Sequence, residues 1–246
     1  MRIEYLPYSI YKSTMPNLCP VDYRNSVAPR IQSSSCGPTS IANIIRYLAG
    51  HNLRQLMPPQ GKSDETIANL RLIETLTRIM HTTQTGTVAS DLISGLEKYV
   101  RDRGYKISIE WAGKSYSGKY KYESLVDPEW IMNGTIGPYN SILWLGNYEY
   151  NTKRETYKRK TGHAVTVAGF SSVYDELLIH DPSPIKRKYP IYCKLHKLTK
   201  GTLKNGDGID HLAKRFYELR EVYPYKDDGS LVTIIEGALS FEVFRK

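Results

Sequence analysis

Between residues 37 and 104 apolar positions recur at helical spacing; from residue 105 onward they alternate or run together as in strands. Ile41, Ile44, Ile45 and Leu48 fall on one face and predict a helix over 37–49. Pro38 lies in its first turn and Gly50 follows its end. Ser63 is the expected N-cap of a second helix, with Asp64 and Glu65 in the first turn. Its predicted inward stripe is Ile67, Leu70, Ile73, Leu76, Ile79 and Met80. Thr87 is the expected cap of a third, which turns Val88, Leu92, Ile93, Leu96, Tyr99 and Val100 inward and ends at Gly104.

The strand pattern opens with Lys106–Trp111, followed by a polar loop over 112–123 and a short helix from Asp127. Strands are expected near 141–149, 163–170 and 175–180, with His163 opening the second of them. Trp144 reads as core. The charged stretch Tyr148–Tyr157 reads as a flap, and Ile209–Arg220 fits a helix. Leu231–Glu236 and Ala238–Val243 read as one or two closing strands, and residues 1–30 as an extended wrap. The pattern is that of an α+β protein with a helical half over 30–104 and an antiparallel sheet half over 105–246. At 246 residues one elaborated domain, 1–246, is expected.

Candidate chemistry begins at Gln32-Ser33-Ser34-Ser35-Cys36-Gly37-Pro38-Thr39-Ser40, which puts Cys36 at a helix start. Unpaired backbone N–H groups and the helix dipole stabilise an anion there, so the thiol acquires thiolate character. His163 lies in Thr161-Gly162-His163-Ala164-Val165, where Gly162 permits close approach. Asp181 follows the strand Glu176–His180. If the two strands are antiparallel neighbours, His163 and Asp181 meet. The set is then a cysteine nucleophile, its base and the group that orients the base. Strand alternation turns His180 to the opposite face.

These motifs resemble the papain-like cysteine peptidases, and most closely the bacterial branch of double-glycine leader peptidases. The resemblance rests on the CGPTS segment before a helix, GHAVTVAGF, IHDPS and the strand Asn140–Gly146, in the family's order Cys, His, Asp. It implies a papain-like fold, a Cys36–His163–Asp181 triad, a thioester intermediate, a peptide or protein substrate, and no metal or organic cofactor. It also implies an oxyanion hole made by the Cys36 N–H and a side-chain amide. The family's glutamine lies about six residues before the cysteine, whereas Gln32 lies four before it, so either Gln32 or Asn25 could supply that amide. Two other outcomes use the same residues: acyl transfer of the transglutaminase kind, and peptide binding without turnover.

Composition narrows the partners. The net charge is +9, concentrated in Lys153, Arg154, Lys158, Arg159 and Lys160 and from Lys186 to Lys204; an acidic substrate is the matching expectation. Twenty tyrosines accompany these charges, but no nucleic-acid motif does, so nucleic acid is not the expected partner. The three cysteines are too few for a disulfide framework, and neither CxxC nor HExxH spacing marks a metal site. No apolar run spans a bilayer and the N-terminus lacks a secretory core. A cytoplasmic location is therefore expected, or a secreted one if a leader has been removed.

Overall fold

The computed structural model describes residues 9–19, 34–59, 64–113, 126–171, 176–183, 190–204, 210–220 and 231–245. Helix α1 (Cys36–Gly50) buries nearly its whole length, including Thr39, Ser40 and Asn43. Helices α2 (Glu65–Ile79) and α3 (Ala89–Asp102) pack beside it. The α2 N-cap is Asp64, which accepts the Thr66 N–H at 3.0 Å; Ser63 lies outside the described residues. The buried stripe of α2 runs through Ala68, Leu72, Ile73, Leu76 and Met80, while Ile67 is 43 % exposed. Its phase is set by the neighbouring helices, which accept Asn69 and Thr77 and leave an apolar end residue outside. In α3 the predicted face is buried from Leu92 to Val100. Val88 instead occupies the N-cap position and is 57 % exposed.

The remaining elements are β1 (Ser9–Tyr11), β2 (Tyr105–Gly113), α4 (Pro128–Asn133), β3 (Asn140–Asn151), β4 (Thr156–Ser171), β5 (Glu176–His180), β6 (Ile191–Lys197), β7 (Thr202–Lys204), β8 (Asp210–Leu212), β9 (Tyr217–Arg220) and β10 (Leu231–Arg245). Successive antiparallel pairings β3–β4, β4–β5, β5–β6, β6–β9, β9–β10 and β10–β3 return to their starting strand, so the sheet closes on itself. Each of these six strands is paired on both sides, and the edges fall to strands outside the ring, β2 and β8. The interior of the ring is apolar: Leu143, Leu145, Val165, Val167, Ile179 and Cys193 share one cluster. A larger cluster joins α1, α2 and α3 to outward-facing strand residues including Ile142, Ala164, Ala168 and Phe241.

The expected sheet differs from the observed one in four places. The sheet is mixed, because β7 runs parallel to β4. β4 starts at Thr156, so His163 lies within the strand instead of opening it. Tyr148–Tyr157 is the paired end of the β3–β4 hairpin; Tyr150 and Tyr157 stack there with centroids 4.4 Å apart, and Lys160 pairs with Glu149 at 2.5 Å. One face of this ribbon buries Tyr148 and Tyr157 in a cluster with Leu198, Leu203 and Phe216, and the charged residues of the other face are what made it read as a flap. The predicted helix over 209–220 is β8, a short 3-10 turn and β9. Leu212, Ala213, Phe216 and Leu219 fit a helical spacing, but the gap between β6 and β10 requires a strand, and that non-local demand prevails.

Polar contacts lock α1 onto β4. Ser40 Oγ donates to Ala164 O (3.1 Å), Thr166 Oγ1 to Ser40 O (3.0 Å), and Asn43 Nδ2 to Thr166 Oγ1 (3.1 Å). All three side chains are buried, so each lost partner would leave an unsatisfied polar group. Residues 9–19 brace β4, β5 and α1, with the Leu18 N–H donating to Asn43 Oδ1 at 2.8 Å. β1 pairs with β4, His180 Nδ1 bonds Pro16 O at 2.9 Å, and the Cys19 thiol donates to Ser183 O at 3.2 Å. No disulfide joins Cys19, Cys36 or Cys193 to one another.

Candidate active site

Cys36 is the first residue of α1. The first helical hydrogen bond runs from Thr39 N–H to Ser35 O (2.9 Å), Pro38 has no N–H, and no acidic residue lies in the first turn. The mouth of the helix is thus left to the Cys36 and Gly37 N–H groups. The polar lock between α1 and β4 sets this end of the helix against His163. The His163 imidazole hydrogen-bonds Cys36 with one nitrogen, while its Nε2 lies 2.6 Å from Asp181 Oδ1. Asp181, just past the end of β5, is itself fixed: the same Oδ1 accepts the Ser183 N–H at 2.8 Å.

Electrostatics follow from this packing. Burial pushes the Cys36 thiol up, but the hydrogen bond and charge of His163 and the backbone hydrogen bonds of Ala164 and Gly37 outweigh it, so its pKa falls below the ordinary value. Burial pulls His163 down, yet its bonds to Asp181 and Cys36 raise it well above an ordinary imidazole. Opposite shifts on two touching groups favour a thiolate–imidazolium pair. His180, turned away as alternation predicts, is depressed by burial and serves the Pro16 contact.

A cavity of about 280 Å³ opens beside this pair, lined among others by Cys36, His163, Val88, Trp144, Arg159 and Glu236. A larger depression of about 790 Å³, lined by Arg46, Arg54 and Arg103, contains no nucleophile, so size does not mark the site. Trp144, expected in the core, packs against the large cluster with one side and faces the cavity with the other. Sequence reasoning left Glu236 out of the site and counted Arg159 only within a charge run. The one available signal was a lone glutamate inside the apolar run Ile234-Ile235-Glu236-Gly237-Ala238. Gln32 and Asn25 lie outside the described residues. Among the described residues no group of three or more His, Cys, Asp or Glu side chains is arranged to hold a metal, and no helix is long and apolar enough to cross a membrane.

Fold and cleft together define an α+β protein with a helix-start thiol, an imidazole and a supporting carboxylate. The chain belongs to the Peptidase_C39 like family, whose model matches residues 21–199. The matched span runs from before α1 to the end of β6 and includes Cys36, His163 and Asp181. Membership points to cysteine peptidase activity on a peptide substrate. No curated protein matches the chain.

Proposed function

We propose that the protein is a single-domain, papain-like cysteine peptidase that hydrolyses peptide or isopeptide bonds, with its helical half packed on its sheet half and the cleft between them. In this reading the Cys36 thiolate attacks the substrate carbonyl carbon, and the carbonyl oxygen takes up the negative charge. The Cys36 N–H and the amide of Gln32 or Asn25 stabilise that oxyanion. Collapse of the tetrahedral intermediate breaks the C–N bond, and the His163 imidazolium gives its proton to the leaving amine. The Cys36 thioester is then attacked by water, whose proton returns to His163. Release of the acid restores the thiolate–imidazolium pair. Asp181 holds the ring through Nε2, so the other nitrogen faces sulfur throughout. The chemistry requires no metal or organic cofactor.

The observation that carries this reading is the hydrogen-bonded chain Cys36–His163–Asp181 at the edge of a cavity. The test is alkylation by iodoacetamide at pH 6–7 alongside peptide release. The wild type is expected to react rapidly at one site and to release peptides, and Cys36→Ala to do neither. Cys19 and Cys193 are buried and supply little background. Equal labelling of wild type and Cys36→Ala would sink the proposal.

A further inference from the structure

The carboxylate of Asp181 is aimed by one oxygen. Its Oδ1 meets His163 Nε2 at 2.6 Å and accepts the Ser183 N–H at 2.8 Å, while Oδ2 is buried and has no hydrogen-bond partner among the described residues. Apart from His163 itself, the group that holds the carboxylate is therefore the peptide between Pro182 and Ser183. That peptide is trans, so its C=O points the opposite way from the N–H that Asp181 engages.

On that opposite side sits Cys19. Its buried thiol lies 3.6 Å from Pro182 O and 3.2 Å from Ser183 O. One residue before Asp181, His180 Nδ1 lies 2.9 Å from Pro16 O. The Leu18 N–H donates to Asn43 Oδ1 at 2.8 Å, on the helix that starts with Cys36. Residues 16–19 thus grip the chain on both sides of Asp181 and reach α1 as well. Met15 and Leu18 are buried in the large apolar cluster, which anchors the segment. All of this lies ahead of residues 21–199, the span that the family model matches.

We infer that Cys19 is a positioning residue of the site: its thiol fixes the Pro182–Ser183 turn and, through that turn, the Asp181 carboxylate that orients His163. The inference adds a residue outside the triad to the peptidase reading and rests on that reading only for its effect on turnover. A thiol is a weak donor, so the contact matters for direction more than for stability. Direction is what a carboxylate held through a single oxygen needs, because a hydrogen bond weakens steeply as it bends. The His163 titration reports it. Asp181 and Cys36 together hold the imidazole well above its ordinary range, and in Cys36→Ala only the Asp181 share of that effect remains. Arg159 of β4 and Glu236 of β10 also face the cavity, but they pair with each other and are common to every variant compared.

The test uses the full chain with isotope-labelled histidines. The His163 titration is followed by NMR in Cys36→Ala, and its signal is assigned by its loss in His163→Gln. Adding Cys19→Ala is expected to lower the His163 pKa by about half to one pH unit, and adding Cys19→Ser, which keeps a donor, by less than about 0.3. With Asp181→Asn also present, Cys19→Ala is expected to change nothing, since its effect passes through that carboxylate. With Cys36 in place, Cys19→Ala should move the alkaline limb of the kcat/KM profile for peptide release to lower pH, because the imidazolium loses its proton earlier. The acid limb, set by the thiol, should stay. A mere loss of folded protein lowers the whole profile and moves neither limb.

An unchanged His163 pKa in Cys19→Ala, an equal fall in Cys19→Ser, or a fall that persists with Asp181→Asn overturns the positioning role and leaves the peptidase reading untouched. The expected fall without Cys36-dependent peptide release overturns the peptidase reading and leaves the positioning role standing. If Cys19→Ala shows no cooperative thermal transition, Cys19→Val replaces it, which fills the space without a donor and is held to the same outcomes.

Discussion

The two walls of the cleft are built on different principles. One wall is the start of α1 and the turn before α3, where Cys36, Gly37 and residues 85–88 place small or uncharged groups at ordinary element ends. The other is the β4–β3–β10 surface, where a half-buried Arg159 joins the buried Glu236 and Tyr148 in a cluster that depends on two bulges, at Lys160 and Glu236, and two facing glycines, Gly146 and Gly162. The first wall owes its chemistry to the dipole and open N–H groups that every helix start possesses. The second owes its charge to tertiary geometry assembled from residues far apart in sequence. The first should therefore tolerate substitution at exposed positions such as Val88 while losing everything with its nucleophile. The second should be fragile in folding and graded in function.

The largest expected effect tests that division at the triad. His163→Ala should lower turnover by on the order of 10⁴-fold or more, and Asp181→Asn by about 10⁴-fold, with little change in melting behaviour. The pH dependence of iodoacetamide labelling sharpens it. With His163 present, the thiol reacts below the ordinary thiol range, because the imidazolium outweighs burial. With His163→Ala, only the backbone hydrogen bonds at Ala164 and Gly37 still oppose burial, and the labelling midpoint should rise. An unchanged midpoint in the variant would show that the helix start alone activates Cys36.

The next effect falls on the other wall. Removing Glu236 takes away the buried carboxylate that accepts from Tyr148 and Arg159, so Glu236→Ala should cost roughly 1–3 kcal/mol in urea denaturation. Val88→Ala on the opposite wall removes an exposed side chain and should change stability by less than about 0.5 kcal/mol. Comparable losses at Glu236 and Val88 would erase the contrast. Gly146→Ala strains the same cluster: its methyl group would press on Glu236 and Tyr148 and should cost about 1–3 kcal/mol.

The same contrast explains what was legible in the sequence. The helix start at Cys36 and the inward face of α3 from Leu92 to Val100 follow from local periodicity and stand where the pattern put them, whereas Val88 is exposed at the cap. So does the meeting of His163 with Asp181, because antiparallel pairing of Thr166 with His180 brings the two strands into register. The β8–β9 region was misread because amphipathic spacing there fits either element, and only sheet closure decides between them. Glu236 was passed over because its role depends on a bulge, and a bulge is a mismatch between two strands that neither strand shows alone. Gly162 was read as a space left for substrate. Its neighbour in space is Arg159, three positions earlier on the same strand but brought round by the extra residue Lys160.

Lys12 gives the most pH-specific prediction, away from both walls. Its ammonium is buried and hydrogen-bonds Tyr139 O and, at 2.8 Å, Asn140 Oδ1; Tyr47 lies beneath it, its ring centroid 5.5 Å away. Burial lowers its pKa from 10.5 to about 8. In the unfolded chain the lysine keeps its proton up to about pH 10.4. Between pH 8 and that point the unfolded state therefore binds more protons, and folding stability from this group rises with pH. The full span is of order 3 kcal/mol, approached only near its upper end. Tyr99 acts in the opposite direction from pH 10 upward, because burial pushes its phenol to about 12 and only the unfolded state ionises early. The measurement is therefore a difference, urea midpoints of wild type minus Lys12→Met at intervals between pH 7.5 and 9.5, in which the tyrosine contribution cancels. The difference should grow steadily in favour of the wild type across that window. A flat difference would mean that the hydrogen bonds from Lys12 to Tyr139 and Asn140 hold its proton as firmly as water does.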